Sequence, residues 1–322
     1  MEYYFAPMEG VTGAIYRTVH HRFFPQVDRY YMPFLSPTQD HVFTPRELRN
    51  ILPEHNLGFQ AVPQLLTKNA DDFLWGAGEL FAMGYEEVNL NLGCPSGTVT
   101  AKGKGAGMLA DPAGLDRFLD QVFSSVRGSV SVKTRLGMEK PEEFGPLLEI
   151  FSRYPISLLI IHPRVRQDFY RRPVHLEEFD RALEVYRGPV CYNGGLVSPQ
   201  DCRAFAARRP QVSRLMLGQG LLADPALVRQ CKGGPPPARE ELRAFHDQLY
   251  ASYLEVFANQ RAAVFHMKEV WSYLSRLFQG REKAMKAIKK AAGDRDYRGA
   301  VEEMFRLPLL ERAAWPEEVD WT

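Results

Sequence analysis

Cys94 stands between Gly93 and Pro95 in the stretch NLNLGCPSGTVTAKGKGAGMLADP, residues 89–112, ahead of a loop rich in Gly and Lys. A thiol can serve as a nucleophile, a metal ligand or a general acid. No Asp/His pair and no second ligand cluster stands near it in sequence. The other cysteines, Cys191, Cys202 and Cys231, form no C-x-x-C pair, and their spacings fit no zinc site, so no metal is expected. General acid is then the most economical role, provided a flavin supplies the hydride. A buried structural cysteine is the commoner fate of a free thiol, and it is the fate assigned here to the other three. Lys102 and Lys104 follow in the loop, where they would draw an anionic substrate toward Cys94.

The elements that must present this thiol are short β-rich runs alternating with helical patterns. The runs lie at 3–8, 29–34, 61–66, 86–92, 129–135, 157–164, 189–195 and 213–220, with helical segments such as DDFLWGAGELFAM and GLDRFLDQVFSSV between most of them. Eight apolar strands with helical crossovers predict an α/β fold, a closed (β/α)₈ TIM barrel, with a doubly wound open sheet as the competitor.

In such a barrel function sits at the C-terminal ends of the strands. Those ends carry Pro7, Met8 and Glu9; Gln64; Asn89, Asn91 and Cys94; Lys133 and Arg135; His162 and Arg164; Asn193-Gly194-Gly195; and Gly218-Gln219-Gly220. Such a set suits a flat heterocycle with carbonyl and imide edges plus one phosphate. The two glycine turns let backbone N–H groups approach an anion, although each alone also fits an ordinary tight turn. Lys133 would either be solvated at the rim or face an electron-rich ligand edge, such as the pyrimidine edge of a flavin. Gln64 could pair with the same edge, and both it and His162 also fit satisfied structural roles.

The remainder of the chain bounds the answer. Its 322 residues are 45% apolar and 25% charged with a formal net charge of +1, so any basic surface must be local. No apolar run approaches the roughly 20 residues that span a bilayer. The N-terminus lacks the basic and apolar regions of a signal peptide, and four scattered thiols point to a reducing, cytoplasmic setting. The stretch CKGGPPPARE, 231–240, cannot be helix or strand interior. It divides a barrel at 1–232 from a linker at 233–238 and an all-α helical bundle at 239–322. Residues 261–298 hold ten Lys/Arg against four Asp/Glu, with Lys283, Lys286, Lys289 and Lys290 at helical spacing. A bare charge run of this kind usually marks a solvated helix face; behind a barrel whose mouth carries Arg135, Arg164 and Arg166, RNA is the better reading.

Taken in order, APMEGVT, NLNLGCPSGTV, SVKTRLG, HPRVRQDFY, CYNGGL and LGQG resemble the tRNA-dihydrouridine synthases, and HMKEVWSYL resembles that family's helical domain. The resemblance implies an FMN-dependent barrel with NADPH as electron donor and tRNA as substrate. Cys94 matches the residue that protonates C5 of uracil while hydride passes from reduced FMN to C6. It places Gln64 and Lys133 on the isoalloxazine edge, and Pro7, Met8 and Glu9 under the ring. It places His162 near the flavin, and Asn193, Gly194, Gly195, Gly218 and Gln219 around the phosphate. Asn91 and Arg135 match positions facing the target uridine and its backbone. Lys102, Lys104, Arg164, Arg166 and Lys268 complete the RNA-facing set. Three positions depart from the family pattern: Pro163 stands where Gly is usual, Gln219 where Arg is usual, and Asn89 where an acid is often found. A free-pyrimidine reductase of the dihydroorotate dehydrogenase type, a ribosomal RNA substrate and an RNA-binding module without catalysis are the alternatives. The intact Cys94, Lys133 and Gln64 argue against the last. Nothing demands a protein partner, a membrane or more than a monomer.

Overall fold

The computed structural model describes residues 1–257, 259–315 and 319–321. Nine short strands carry the barrel: β1 (Glu2–Phe5), β2 (Arg29–Tyr31), β3 (Ala61–Val62), β4 (Gln64–Leu65), β5 (Glu87–Leu92), β6 (Ser129–Arg135), β7 (Leu159–His162), β8 (Val190–Asn193) and β9 (Arg214–Leu217). All pair in parallel, in the order β3-β2-β1-β9-β8-β7-β6-β5-β4. The run at 61–66 reads as one strand in sequence but divides at Pro63, which has no N–H to give to a ladder. Val62 pairs with Tyr31 on one side and Gln64 with Asn89 on the other. The two ends of the sheet are therefore one continuous stretch of chain, and the ring closes across Pro63. This excludes the open doubly wound sheet.

Alternation along each strand separates an inner from an outer face. On β5, Val88, Leu90 and Leu92 turn outward into the large core shared with Phe73 and Leu119 of the surrounding helices, while Glu87, Asn89 and Asn91 take the other parity. Inside the barrel, Tyr4, Tyr31, Val62, Ile160, Cys191 and Met216 form a small separate cluster. Near the N-terminal strand ends Arg29 pairs with Glu87 at 2.7 Å, and the Tyr31 hydroxyl donates to the same carboxylate at 3.1 Å. Apolar and ionic plugs thus fill the lower barrel and leave the polar residues for the upper end.

Beyond Gly233 no regular element forms until the helix Arg239–Phe257, after which come Gln260–Leu274, Glu282–Lys290 and Asp294–Phe305. The sequence pattern alone does not separate the last of these. The bundle closes on buried Trp271 and His246, which both hydrogen-bond the Tyr297 hydroxyl, at 3.0 and 2.7 Å. It docks on the barrel through Phe245, edge-on to Tyr16 of the helix Ala14–Phe23 at 5.9 Å, and through the paired bonds of Arg229 to Glu241 at 2.6 and 2.7 Å. Among the described residues no helix is long and apolar enough to cross a membrane.

Candidate active site at the C-terminal strand ends

Cys94 leaves the end of β5 on a turn that is held from several sides. The Asn91 side-chain carbonyl accepts the N–H groups of Gly93 and Cys94, at 3.0 and 2.9 Å. Arg135, at the end of β6, donates its Nε to the Gly93 carbonyl at 2.9 Å. The Gly/Lys-rich loop then folds back, and Ala106 N–H donates to the Cys94 carbonyl at 3.1 Å. Gly105 makes this return with φ +58°, where a Cβ would lie 3.0 Å from the Cys94 carbonyl oxygen. The loop thus fixes the backbone of the residue it follows. The half-buried thiol has its pKa raised, chiefly by burial, partly opposed by a backbone hydrogen bond at Ser96 and by the charges of Arg135 and Lys133. It therefore remains protonated at neutral pH, the state a general acid requires.

A chain of amides runs beneath this turn. Asn91 Nδ2 donates to Gln64 Oε1 at 2.7 Å, Gln64 Nε2 to Asn89 Oδ1 at 2.7 Å, and Asn89 Nδ2 to Ser131 Oγ at 2.7 Å. Gln64, Asn89 and Ser131 are fully buried, and mutual pairing offsets their desolvation. On the neighbouring strand, in register with Asn91, is Lys133. Its pKa falls from an ordinary 10.5 to about 7, first by burial and then by the charge of Arg135; no carboxylate is among the groups that perturb it. Lys133 is half-buried at the cavity wall; a desolvated cation without a nearby counter-charge is costly, and an anionic ligand would relieve it.

His162 ends β7 and is also buried. Arg164 Nη1 lies 3.0 Å from its Nε2. A guanidinium only donates, so Nε2 accepts and the ring is neutral with its proton on Nδ1. Burial, with Arg135, Arg164 and Lys133 nearby, holds the imidazole pKa well below its usual value.

Lys133 and His162 open on a cavity at the C-terminal ends of the strands, whose lining does not include Cys94 or Asn91. Of the residues picked from sequence, Pro7, Met8, Lys133 and His162 line it, together with Asn193, Gly194 and Gly195 and with Gly218 and Gln219. Asn193 is oriented by its Nδ2 donating to the Met216 carbonyl at 2.8 Å. Gly195 turns with φ +67°, and a Cβ there would meet the side chain of Val319 at 2.9 Å. Two turns that expose backbone rather than side chains, beside an uncompensated ammonium, fit the phosphate and the electron-rich edge of a flavin mononucleotide.

Other expected residues lie elsewhere. Gln64 does not line the cavity; it is held in the amide chain by Asn91 and Asn89. Glu9 faces a separate groove between barrel and bundle and pairs there with Arg46 at 3.3 Å. Arg135 is 1% exposed; besides Gly93 it donates to the carbonyls of Val165 at 3.0 Å and Phe169 at 2.8 Å, so its guanidinium braces loops. Arg164 is the exception: it lines the cavity beside His162, buried, with its Nε donating to the Arg172 carbonyl at 2.6 Å. Arg166 is half-buried over the Phe169 ring at 5.4 Å. Lys104 donates to Ser36 Oγ at 3.1 Å, and Lys268 to the Ala291 carbonyl at 2.6 Å, while Lys102 is exposed. The cavity residues without a role from sequence include two aromatic ones: Tyr170, under the Arg135 guanidinium at 5.2 Å, and Trp315. Tyr170 lies within HPRVRQDFY and so within reach of the motif, whereas Trp315 carries no local signal.

The family model described as "Dihydrouridine synthase (Dus)" matches residues 4–307. The "Probable tRNA-dihydrouridine synthase 1" of Synechocystis sp. is 28% identical over 228 residues, 69% of this chain and 62% of that protein. The "tRNA-dihydrouridine(16) synthase" of Pseudomonas syringae pv. tomato is 32% identical over 153 residues, 46% of this chain and 47% of that protein. The protein of the same name from Ralstonia nicotianae is 29% identical over 181 residues, 55% and 54% of the two chains. The matches thus span about half to three-fifths of these relatives' own lengths. Among solved structures, morphinone reductase superposes with a TM-score of 0.51 at 12% identity, covering 74% of this chain and 87% of that one. An old yellow enzyme homologue from Zymomonas mobilis gives 0.50 at 11% identity, with 74% and 90% covered. At such identities these two share the fold.

Proposed function

The chain belongs to the dihydrouridine synthase family, and on that premise we propose that it reduces specific uridines of tRNA to 5,6-dihydrouridine, with FMN as cofactor and NADPH as electron donor. The observation that carries the reading is the convergence of Lys133, His162 and the two glycine turns on one cavity, with the protonated Cys94 on the adjacent strand end. Curated relatives are named for tRNA position 16, which makes that uridine the first to inspect. In this reading residues 1–232 form the catalytic barrel, 233–238 a linker and 239–322 the RNA-binding unit.

The chemistry a bound, NADPH-reduced FMN would supply is a hydride for C6 of uracil. The rest is done by side chains. The uridine must leave its stack to reach the barrel mouth. Cys94 gives its thiol proton to C5 as the C5–C6 double bond is reduced, and the resulting thiolate recovers a proton from solvent. Asn91, Arg135 and the return at Gly105 hold the thiol at a fixed place, so alignment is set before substrate arrives. Lys133 would hold the electron-rich edge of a bound flavin, and the neutral His162 would offer its Nδ1 proton there. The glycine turns after β8 and β9 take the phosphate with backbone N–H groups.

The test is to incubate the purified protein with NADPH and unmodified tRNA transcripts, and to map by mass spectrometry any uridine that gains two hydrogens. A gain confined to one position establishes the reaction and its site. A yellow protein bleached by NADPH that modifies no tRNA would direct attention to ribosomal RNA or a free pyrimidine.

A further inference from the structure

The chain beyond residue 307 lies outside the family match, yet it reaches the cavity. Gln279 N–H donates to the Pro308 carbonyl at 2.9 Å, Leu310 N–H to Leu277 at 2.8 Å and Ala314 N–H to Arg276 at 2.8 Å. The segment 308–314 is thus laid along the turn that follows the helix Gln260–Leu274. At the end of this ladder Trp315 enters the cavity wall, beside Met8, Gln219 and Gly195. Its indole is clasped by the Arg276 guanidinium, 4.1 Å from the ring centroid, a close cation–π contact. Arg276 is half-buried and its pKa is lowered by burial and by Arg281, with no carboxylate among the perturbing groups. Among the described residues no ion pair engages it, so its position is taken up with the ring.

The segment is anchored a second time on the outside of the barrel. Trp321 is 8% exposed. It donates its indole N–H to Asp201 Oδ1 at 3.0 Å and meets Phe205 edge-on at 5.9 Å. Between the two anchors, Val319 packs against Gly195, one of the glycines of the turn after β8. A solvated tail would not bury its tryptophan or be tied at both ends. Here an apolar ring completes a cavity wall that the barrel strands leave open.

We propose that residues 308–315, with Val319 and Trp321, form a strap over the cofactor cavity, with Trp315 a cofactor-retaining residue and Arg276 the positioning residue that holds it. The strap slows escape of the bound flavin and shields it from solvent, and it ties cofactor retention in the barrel to the helical bundle that carries Arg276. This rests on the reading that the cavity takes FMN.

The experiment is FMN release from the full-length holoprotein, followed by the recovery of flavin fluorescence after dilution, together with quenching of the bound flavin by iodide. Trp315→Ala is expected to release FMN about tenfold faster, the scale of a single aromatic packing interaction, and to become more open to iodide. Trp315→Phe should stay within about threefold of the parent, because a ring of similar placement remains. Arg276→Gln should fall between them, and Trp321→Ala should loosen FMN without touching the cavity. Circular dichroism and the thermal midpoint of each flavin-free variant show whether it has folded. If folded Trp315→Ala and Trp321→Ala release FMN at the parent rate, the strap is overturned while the FMN reading stands. If the parent protein takes up no FMN at all, both are overturned.

Discussion

Cys94 and Lys133 act on different halves of one reduction, and their variants should fail differently. Cys94→Ala is expected to retain flavin and its bleaching by NADPH, yet to form dihydrouridine at least about 10²-fold more slowly, the lower end of what a positioned general acid contributes. Single-turnover reaction of prereduced protein with tRNA measures this, and unchanged turnover would remove the thiol from the mechanism. For Lys133 the consequence is a pH dependence. With a pKa of about 7 in the ligand-free protein and about 10.4 in the unfolded chain, the unfolded chain binds the extra proton between those values. Stability contributed by this site therefore rises with pH across that window and is lowest below pH 7, where the buried charge is enforced. Lys133→Met should raise the thermal midpoint of flavin-free protein at pH 7, with the gain shrinking toward pH 10; a gain independent of pH would refute the burial account. In the parent protein a flavin edge beside the amine should raise its pKa, so FMN binding near pH 8 should take up protons. Calorimetry in buffers of different ionisation enthalpy reads that uptake directly.

At the scale of elements, the barrel is built so that loops, not strands, need bracing, and Arg135 carries much of that load. It links the Cys94 turn after β5 to the loop after β7 through three carbonyls. One of these belongs to Phe169, which is held at φ +50°, a conformation that costs on the order of 1–3 kcal/mol. Arg135→Ala should lower unfolding free energy by about 3 kcal/mol, since buried acceptors lose their donors, and should reduce activity more than FMN binding; denaturant melts and flavin titration separate the two. Arg135 also shows where sequence stops being informative. The strand runs were legible because apolar β-rich stretches recur between helices, and the cavity was legible because a barrel gathers its strand ends. Lys133, His162 and the glycine turns followed from that rule alone. The family resemblance set Asn91 and Arg135 toward the target uridine, but Asn91 here bonds the Gln64 side chain and the N–H groups of its own turn, and Arg135 bonds carbonyls of two loops, which no residue type announces. Pro63 hid its break inside an apolar run, and Trp315 reaches the cavity from a tail with no strand or helix among its described residues.

The molecule as a whole has a formal net charge of only +1, so attraction for a polyanion must come from distribution. The helix Glu282–Lys290 provides it: Ala284, Met285 and Ile288 are buried, while Lys283, Lys286, Lys289 and Lys290 are exposed on the opposite face. No ion pair among the described residues engages these four. Lys268, also expected to meet RNA, instead binds the Ala291 carbonyl just past the end of this helix, so it helps to fix the helix on which the others ride. Replacing Lys283, Lys286 and Lys289 together by Gln leaves the buried face and the barrel untouched. If this face meets phosphates, tRNA affinity should fall and the slope of log K against log salt should lessen by about 2–3, near 0.7–0.9 for each phosphate no longer neutralised. FMN content and bleaching by NADPH should stay at parental levels, which separates loss of RNA from loss of cofactor. An unchanged slope would show the lysines to be a solvated face, and the RNA surface would then have to be sought along the groove between barrel and bundle, where Arg46, Arg49 and the exposed Phe265 lie.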